Sequence, residues 1–319
     1  MTASRTDTDL QVTPDLAVEP DPAAVEEFAG ELIGVLNHGM LSLMISVGHR
    51  TGLLDTMSTM APADSAAIAK AAGLEERYVR EWLGAMTTGQ IVDYDAEAGT
   101  YRLPPERAAM LTRAAGPNNL AAYAQFIAML GKVETGIVDS FREGGGVPYS
   151  EFPEFQKLMA EDSQQVFDAT LIDVTIPLVP GLVENLKAGI DVADVGCGSG
   201  HAINLLAEAF PKSRFTGYDF SEEGIAVGIA EAAAKGLKNA RFVLRDAAKL
   251  DESAAFDLVT SFDAVHDQAH PKQMLNGIHE CCGRVARTSA WTSARPATCT
   301  TTSSTRSARS STRCRACTA

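Results

Sequence analysis

The stretch Val192-Ala-Asp-Val-Gly-Cys-Gly-Ser-Gly200 decides the fold. An apolar strand ends in Asp194, and three alternate glycines follow, Gly196, Gly198 and Gly200. An amphipathic segment, His201-Ala-Ile-Asn-Leu-Leu-Ala-Glu-Ala-Phe210, follows directly. Strand, glycine turn and helix in this order make a nucleotide-type site. Glycine lets the backbone turn sharply and approach a ligand, while a helix start presents unpaired N–H groups.

The segments beyond it repeat one plan. A second strand, Arg214-Phe-Thr-Gly-Tyr-Asp219, closes in an acid about 20 residues past the glycines, the spacing at which a carboxylate takes both hydroxyls of a ribose. A third, Ala240-Arg-Phe-Val-Leu-Arg-Asp246, also ends in an acid, and a fourth, Phe256-Asp-Leu-Val-Thr-Ser-Phe262, leads into Asp263-Ala-Val-His266-Asp267. Each strand puts a polar residue at its carboxyl end, where open α/β sheets bind ligands. A nicotinamide dehydrogenase shares this physics, but its fingerprint is G-x-G-x-x-G; here the third glycine comes one residue early and an acid precedes the loop. Asp219 and Asp246 each have a second reading, as loop acids that cap the next helix.

Asp-x-Gly-x-Gly-x-Gly, Gly-Tyr-Asp-Phe-Ser, Arg-Asp-Ala and Phe-Asp-Leu-Val, in that order over residues 190–280, resemble the class I S-adenosylmethionine-dependent methyltransferases. The resemblance implies a Rossmann-like α/β sheet with S-adenosylmethionine as cofactor. It implies that Asp194 positions the glycine loop and reaches the methionine end of the cofactor, with Gly196, Gly198 and Gly200 admitting the backbone. Asp219 would take the ribose, Phe220 would flank the adenine, and Asp246 with Ala247 would address the adenine edge. Phe262 and Asp263 complete the cofactor set. His266 is the candidate base for a hydroxyl acceptor, oriented by Asp267 or Asp263, against the plainer reading of a histidine that shapes its loop. His270, before Pro271, reads as a turn residue.

The chain has 319 residues, 45% of them apolar and 21% charged, which suits a soluble protein of two domains. It contains no unbroken run of 18 or more apolar residues, and its start lacks a basic and apolar leader, so the cytoplasm is expected. Setting aside the seven arginines after Gly283 changes the net charge from −14 to −21. Such a surface repels nucleic acid and suits a neutral or cationic small molecule. The Cys314–Cys317 pair has neither a second ligand pair nor a nearby histidine, and no metal is expected.

The last segment departs from all of this. From Arg284 onward there is no Asp, Glu, Lys, Leu, Ile, Phe or Gly, and 16 of the 36 residues are Ser or Thr. One reading is a disordered basic tail; the other is translation out of frame. Trp291 has one codon, TGG, and Thr292 begins AC, so the neighbouring frame reads Asp there. The flanking codons permit Ala-Tyr-Leu-Cys-Val-Asp-Ile, an apolar strand ending in an acid, in the place of the family's fifth strand. On that reading the sheet is incomplete at four strands, the fourth strand keeps an exposed outer edge, and activity is impaired.

The amino-terminal half begins with 1–22, polar and expected to be disordered. Ala23 to Gly48 shows a helical pattern through Phe28, Leu32, Val35, Leu36, Leu43 and Met44. Ser65–Leu74 and Glu75–Met86 read as two helices about a tight turn, and Ile91–Leu103 as a hairpin, which together make an α-helical winged-helix domain over 23–112. The second helix and wing mix Arg77 and Arg80 with Glu75, Glu76, Glu81, Asp93, Asp95 and Glu97. That balance disfavours phosphate contact and so a DNA reader; the arrangement resembles the winged-helix modules in front of small-molecule methyltransferases, which implies homodimer formation and help in closing the substrate pocket. A helical linker and lid spans 113–188: Leu120–Leu130 is expected to be a buried helix, and three glycines before Pro148 suit a lid carrying Tyr149, with Met159 lining the cavity. The methyltransferase domain spans 189–282 and the aberrant tail 283–319. The function expected is methyl transfer to a small molecule; the runner-up is a winged-helix regulator that senses S-adenosylmethionine.

Overall fold

The computed structural model describes residues 19–266, 268 and 270–291, without the side chains of 283–291. The expectations for the first 18 residues, for Asp267 and for 292–319 lie outside the described residues. The chain divides into two compact units, 1–107 and 108–319.

In the first unit, helix α1 (Pro22–Arg50) starts where the sequence gives start signals: Asp21 accepts from the Ala23 N–H at 3.0 Å and Pro22 occupies the first position. Most of its length is exposed, and only its last turns pack. Trp82 Nε1 donates to the Met44 carbonyl at 2.8 Å, and a Cβ at Gly48 would lie 2.4 Å from the Trp82 ring. By length and composition α1 could also cross a bilayer; its packed C-terminal turns are those of a globular domain. Helices α2 (Leu53–Ser58), α3 (Ser65–Ala72) and α4 (Glu76–Thr88) complete the helical part. Helix α3 ends at Gly73, whose φ of +68° favours glycine, and the Leu74 N–H returns to the Ala69 carbonyl at 2.9 Å. Val79, Trp82, Leu83 and Met86, at helical spacing on α4, are buried, as are Leu54 of α2 and Ile68 of α3. Strands β1 (Asp93–Asp95) and β2 (Thr100–Arg102) pair antiparallel as the wing. The helix–turn–helix–hairpin order is the one read from sequence.

Helix α5 (Pro105–Leu111) contains the division between the units. In the second unit α6 (Ala124–Glu143) corrects one expectation: Leu120 to Tyr123 form a turn, the helix begins at Ala124, and Leu120, Ile127 and Leu130 are exposed. Beyond Ala124 only the stripe of Gln125, Met129 and Val133, spaced by four, is buried. Gly144, Gly145 and Gly146 all take positive φ, at 76°, 94° and 76°, so the chain reverses there without side-chain strain. Helices α7 (Phe155–Thr170) and α8 (Leu182–Ala188) lead into the sheet.

The sheet contains β3 (Asp191–Val195), β4 (Arg214–Asp219), β5 (Ala240–Leu244), β6 (Phe256–Phe262) and β7 (Cys282–Trp291), all parallel, in the order β5-β4-β3-β6-β7. Helix α9 (His201–Ala209) joins β3 to β4, α10 (Glu222–Ala234) joins β4 to β5, and α11 (Pro271–Cys281) joins β6 to β7. The winding direction reverses between β3 and β6, and right-handed crossovers therefore send α9 and α10 to one face and α11 to the other. The cores agree. Ile203, Leu206 and Phe210 pack with Leu186, Val192 and Phe215 on one side, and Met274 and Ile278 with Val195, Tyr218 and Val259 on the other.

Strand β7 corrects the expectation of a four-stranded sheet. Cys282–Trp291 pairs with β6 from Phe256↔Cys282 to Phe262↔Trp291, with a register shift near Phe256, and covers the edge expected to be bare. A parallel ladder is made by backbone groups. Val, Thr and Trp in Arg284–Trp291 are compatible with a strand whatever their reading frame.

Candidate functional site

Where the winding reverses, a cleft opens at the carboxyl ends of β3, β4 and β6, as expected at a topological switch point. It is lined by Asp194, Gly196, Cys197, Gly198, Ser199 and His201 from the first strand and loop, and by Asp219, Phe220 and Ala247 beyond the next two strands. Phe262, Asp263, Ala264 and Gln268 close one wall; Tyr149 and the α7 residues Phe155, Gln156, Met159, Ala160, Ser163 and Phe167 form another.

The glycine loop is tied to β4 by its backbone. The N–H groups of Gly196 and Cys197 both donate to the Tyr218 carbonyl, at 2.8 and 3.0 Å. Gly196 has φ of +78°, and a Cβ there would lie 2.3 Å from that of Ala264. Asp219 makes the second tie. Its Oδ2 accepts from Gly198 N–H at 2.8 Å and its Oδ1 from Ser221 N–H at 2.8 Å. Each oxygen keeps a lone pair for a further donor, so a carboxylate held in place by two backbone bonds can take two hydroxyls.

Asp194 is 2% exposed. Thr260 Oγ1 donates to its Oδ1 at 2.8 Å across the β3–β6 pairing. Burial first, and the neighbouring Asp219 charge last, push its carboxyl up to about 6, while the Thr260 bond pulls the other way. Cys197 is pushed upward by burial and then by the same two carboxylates, which keeps its thiol neutral.

Of the ten cofactor candidates read from sequence, Asp194, Gly196, Gly198, Asp219, Phe220, Ala247, Phe262 and Asp263 line the cleft. The other two stand behind it. Gly200, φ +69°, precedes α9 with Phe242 at its back, 2.2 Å from where a Cβ would sit. Asp246 turns away and caps the short 3₁₀ turn Ala247–Lys249, accepting from Ala248 N–H at 2.9 Å. That bond, then Lys249, holds its carboxyl below the ordinary value. Among the catalytic candidates, His266 is exposed and outside the cleft lining, and Asp267 lies outside the described residues. Asp263 is in the wall with φ of +51°, a strained value for a residue with a Cβ. Tyr149 and Met159 both face the cleft, and the Tyr149 ring centroid lies 5.7 Å from that of Phe220 and 5.2 Å from that of Phe155. Sequence reasoning missed most of the α7 wall and His201. Phe155, Met159 and Phe167 show helical spacing, but nothing in that spacing separates a cleft face from a core face.

Two family models match the chain: an Rv2258c-like winged HTH domain over residues 39–113 and a methyltransferase domain over 186–288. A malonyl-acyl-carrier-protein O-methyltransferase of Bacillus cereus is 26% identical over 118 residues, 37% of this chain and 38% of that protein. The nocamycin O-methyltransferase of Saccharothrix syringae is 32% identical over 100 residues, 30% of this chain and 36% of that protein. The chain thus matches less than two fifths of the length of these curated relatives. Among solved structures, that of mitomycin 7-O-methyltransferase covers 86% of this chain and 84% of its own at 18% identity, with a TM-score of 0.63. An O-methyltransferase from neocarzinostatin biosynthesis, solved with S-adenosylmethionine and 2-hydroxy-5-methyl naphthoic acid, covers 78% of each at 18% identity and a TM-score of 0.57. This chain thus carries a methyltransferase domain behind a winged HTH domain, with its cleft at the switch point of the sheet and the fold of the O-methyltransferases of known structure.

Proposed function

We propose that this protein transfers the methyl group of S-adenosylmethionine to a hydroxyl of a small, largely apolar acceptor. The observation that carries this reading is the Asp219 carboxylate, fixed by Gly198 and Ser221 at the end of β4 with Asp194 buried one strand away. A diol-binding acid and a second acid for an ammonium group, on either side of a glycine loop, fit the ribose and the methionine end of that cofactor. When bound, S-adenosylmethionine supplies an electrophilic methyl carbon. The residues of this chain bind and orient. Asp194 pairs the ammonium, Asp219 the ribose, Phe220 and Tyr149 flank the adenine, and Ala247 leaves room at its edge. Phe155, Met159, Phe167 and Phe262 exclude water from the path of an in-line displacement, where alignment accounts for much of the rate. His266, two residues past the Ala264 of the wall, takes the acceptor's proton, with Asp263 or Asp267 orienting it.

The direct experiment is transfer of labelled methyl from S-adenosylmethionine to aryl hydroxyls, with 1,4-dihydroxy-2-naphthoic acid as one probe. Label should appear in the ether product. His266→Ala should keep cofactor affinity and slow transfer about tenfold, below the usual ~10²–10⁴ for a general base because its exposed ring competes with water. Transfer to no hydroxyl, or an unchanged rate in the variant, would refute the acceptor class or the base respectively.

The winged helix supports this reading over a DNA-binding regulator. Arg77 pairs with Glu81, Arg80 with Glu76, and Arg102 and Arg107 with Asp93, so these cations are already engaged by carboxylates. We assign α1 to a homodimer. Val25, Phe28, Leu32, Val35, Leu36 and Met40 are all exposed at 47% or more along one helix, and an apolar patch of that kind marks an interaction surface. Leu32→Asp with Leu36→Asp should convert a dimer to a monomer in sedimentation velocity; an unchanged sedimentation coefficient would remove α1 from the interface. Cys197 and Cys281 stand as thiols, which fits residence in the reducing cytoplasm.

A further inference from the structure

His201 is the first residue of α9, directly after the glycine loop, and its ring is held on both sides. Nδ1 lies 2.9 Å from Glu231 Oε1 of α10, and Nε2 lies 2.8 Å from Asp168 Oδ1 of α7. The ring is 13% exposed, Glu231 24% and Asp168 51%. Both ring nitrogens face carboxylate oxygens, and carboxylates only accept. Both contacts are hydrogen bonds only if both nitrogens carry protons, that is, in the imidazolium.

The three partners belong to different parts of the cofactor site. His201 continues the glycine loop, Asp168 directly follows the cleft residue Phe167, and Glu231 belongs to the helix after Asp219. We propose that His201 is a positioning residue for the cofactor, its imidazolium fastening the α7 wall to the glycine loop. This rests on the S-adenosylmethionine reading above.

The surroundings determine which side lets go. Glu231 is also bonded by Asn204 Nδ2 at 3.0 Å and lies 4.0 Å from Lys235 Nζ, which itself pairs with Glu208 at 2.6 Å. A neutral ring has one N–H. Losing the bond to the more buried Glu231 leaves the costlier unpaired group, so the proton stays on Nδ1. Nε2 then turns a lone pair toward Asp168, and that half-exposed carboxylate swings to water. The α7 wall, with Phe155, Met159 and Phe167, loosens over the cleft. Loss of the contact between Nε2 and Asp168 therefore weakens cofactor binding from the lid side. The other titratable groups lining the cleft, Tyr149, Asp194, Cys197, Asp219 and Asp263, are common to every variant compared below.

The test is calorimetric titration of the full chain with S-adenosylhomocysteine. His201→Asn, which cannot bond both carboxylates as a cation, and Asp168→Asn, a near-isosteric change at an exposed position, should each bind about tenfold more weakly than wild type, the worth of one charge-assisted hydrogen bond. His201→Arg, a cation with several donors, should restore the affinity to within about threefold of wild type. Wild-type affinity in both the His201→Asn and the Asp168→Asn variants, or an Arg variant that binds no tighter than the Asn one, would overturn the positioning role. A wild type that binds no S-adenosylhomocysteine would instead overturn the cofactor reading itself.

Discussion

Replacing Asp219 by Ala should lower affinity for S-adenosylmethionine about 10³-fold, while the purified chain still unfolds cooperatively. The carboxylate accepts Gly198 N–H and Ser221 N–H, so it belongs to the glycine loop before any ligand arrives. Two further hydroxyl bonds to a charged acceptor are worth about 1.5–3 kcal/mol each, and their joint loss converts to roughly 10²–10⁴ in affinity. The loop adds to this, since Gly198 N–H loses its acceptor and the turn that presents the backbone loosens. Asp219→Asn separates the two contributions. It keeps an acceptor for one N–H but not the charge, and should fall between Ala and wild type. If calorimetry shows the Ala variant binding within about threefold of wild type, Asp219 does not hold the ribose.

Asp194→Asn should move stability and affinity in opposite directions. Burial raises the Asp194 carboxyl from its ordinary value of 3.8 to about 6 in the folded state. Below about pH 4 the carboxyl is protonated in both states and costs nothing. Between about 4 and 6 the unfolded chain gives up this proton and the folded chain keeps it, so stability falls as pH rises through that window. By pH 7 the folded state carries the whole penalty, about 2–3 kcal/mol at ~1.36 kcal/mol per unit. Asn accepts the Thr260 hydroxyl bond equally and carries no charge. The variant should therefore gain about 2–3 kcal/mol in urea unfolding at pH 7, and should match wild type near pH 4. The same substitution removes the partner of the cofactor's ammonium, and affinity should drop about tenfold or more. Wild-type affinity should rise as Asp194 ionises through about pH 6, and that acid limb should vanish in the Asn variant. A variant no more stable than wild type at pH 7 would mean that Asp194 is not a strained, ionised carboxylate.

The parts of this molecule that can be read from sequence are those governed by local rules. The loop Gly196–Gly200 is legible because positive φ and close backbone approach leave few residue choices, and Asp219 because strand length fixes its distance from the loop. The winged helix is legible from Gly73 and the period of Val79, Leu83 and Met86. Asp246 shows where local rules have two outcomes. An acid after a strand can face a ligand or cap the next turn, and here Ala248 N–H takes it. Helix α6 fails as a buried helix because an apolar run records what could be covered and not what covers it. The apolar periodicity that marks the other strands stops before strand β7, yet pairing with β6 is a backbone matter. The His201 clamp is out of reach for a different reason. Asp168 and Glu231 stand 33 and 30 residues from His201 in sequence, and only the packing of α7, α9 and α10 brings them together.

Every role assigned above depends on S-adenosylmethionine binding in the cleft between β3, β4 and β6. Isothermal titration of the full chain with S-adenosylmethionine tests it most directly. Binding should be saturable at one site per chain, displaced by S-adenosylhomocysteine and lost in Asp219→Ala. Absence of saturable heat in the wild type, or binding that survives Asp219→Ala undiminished, would contradict it.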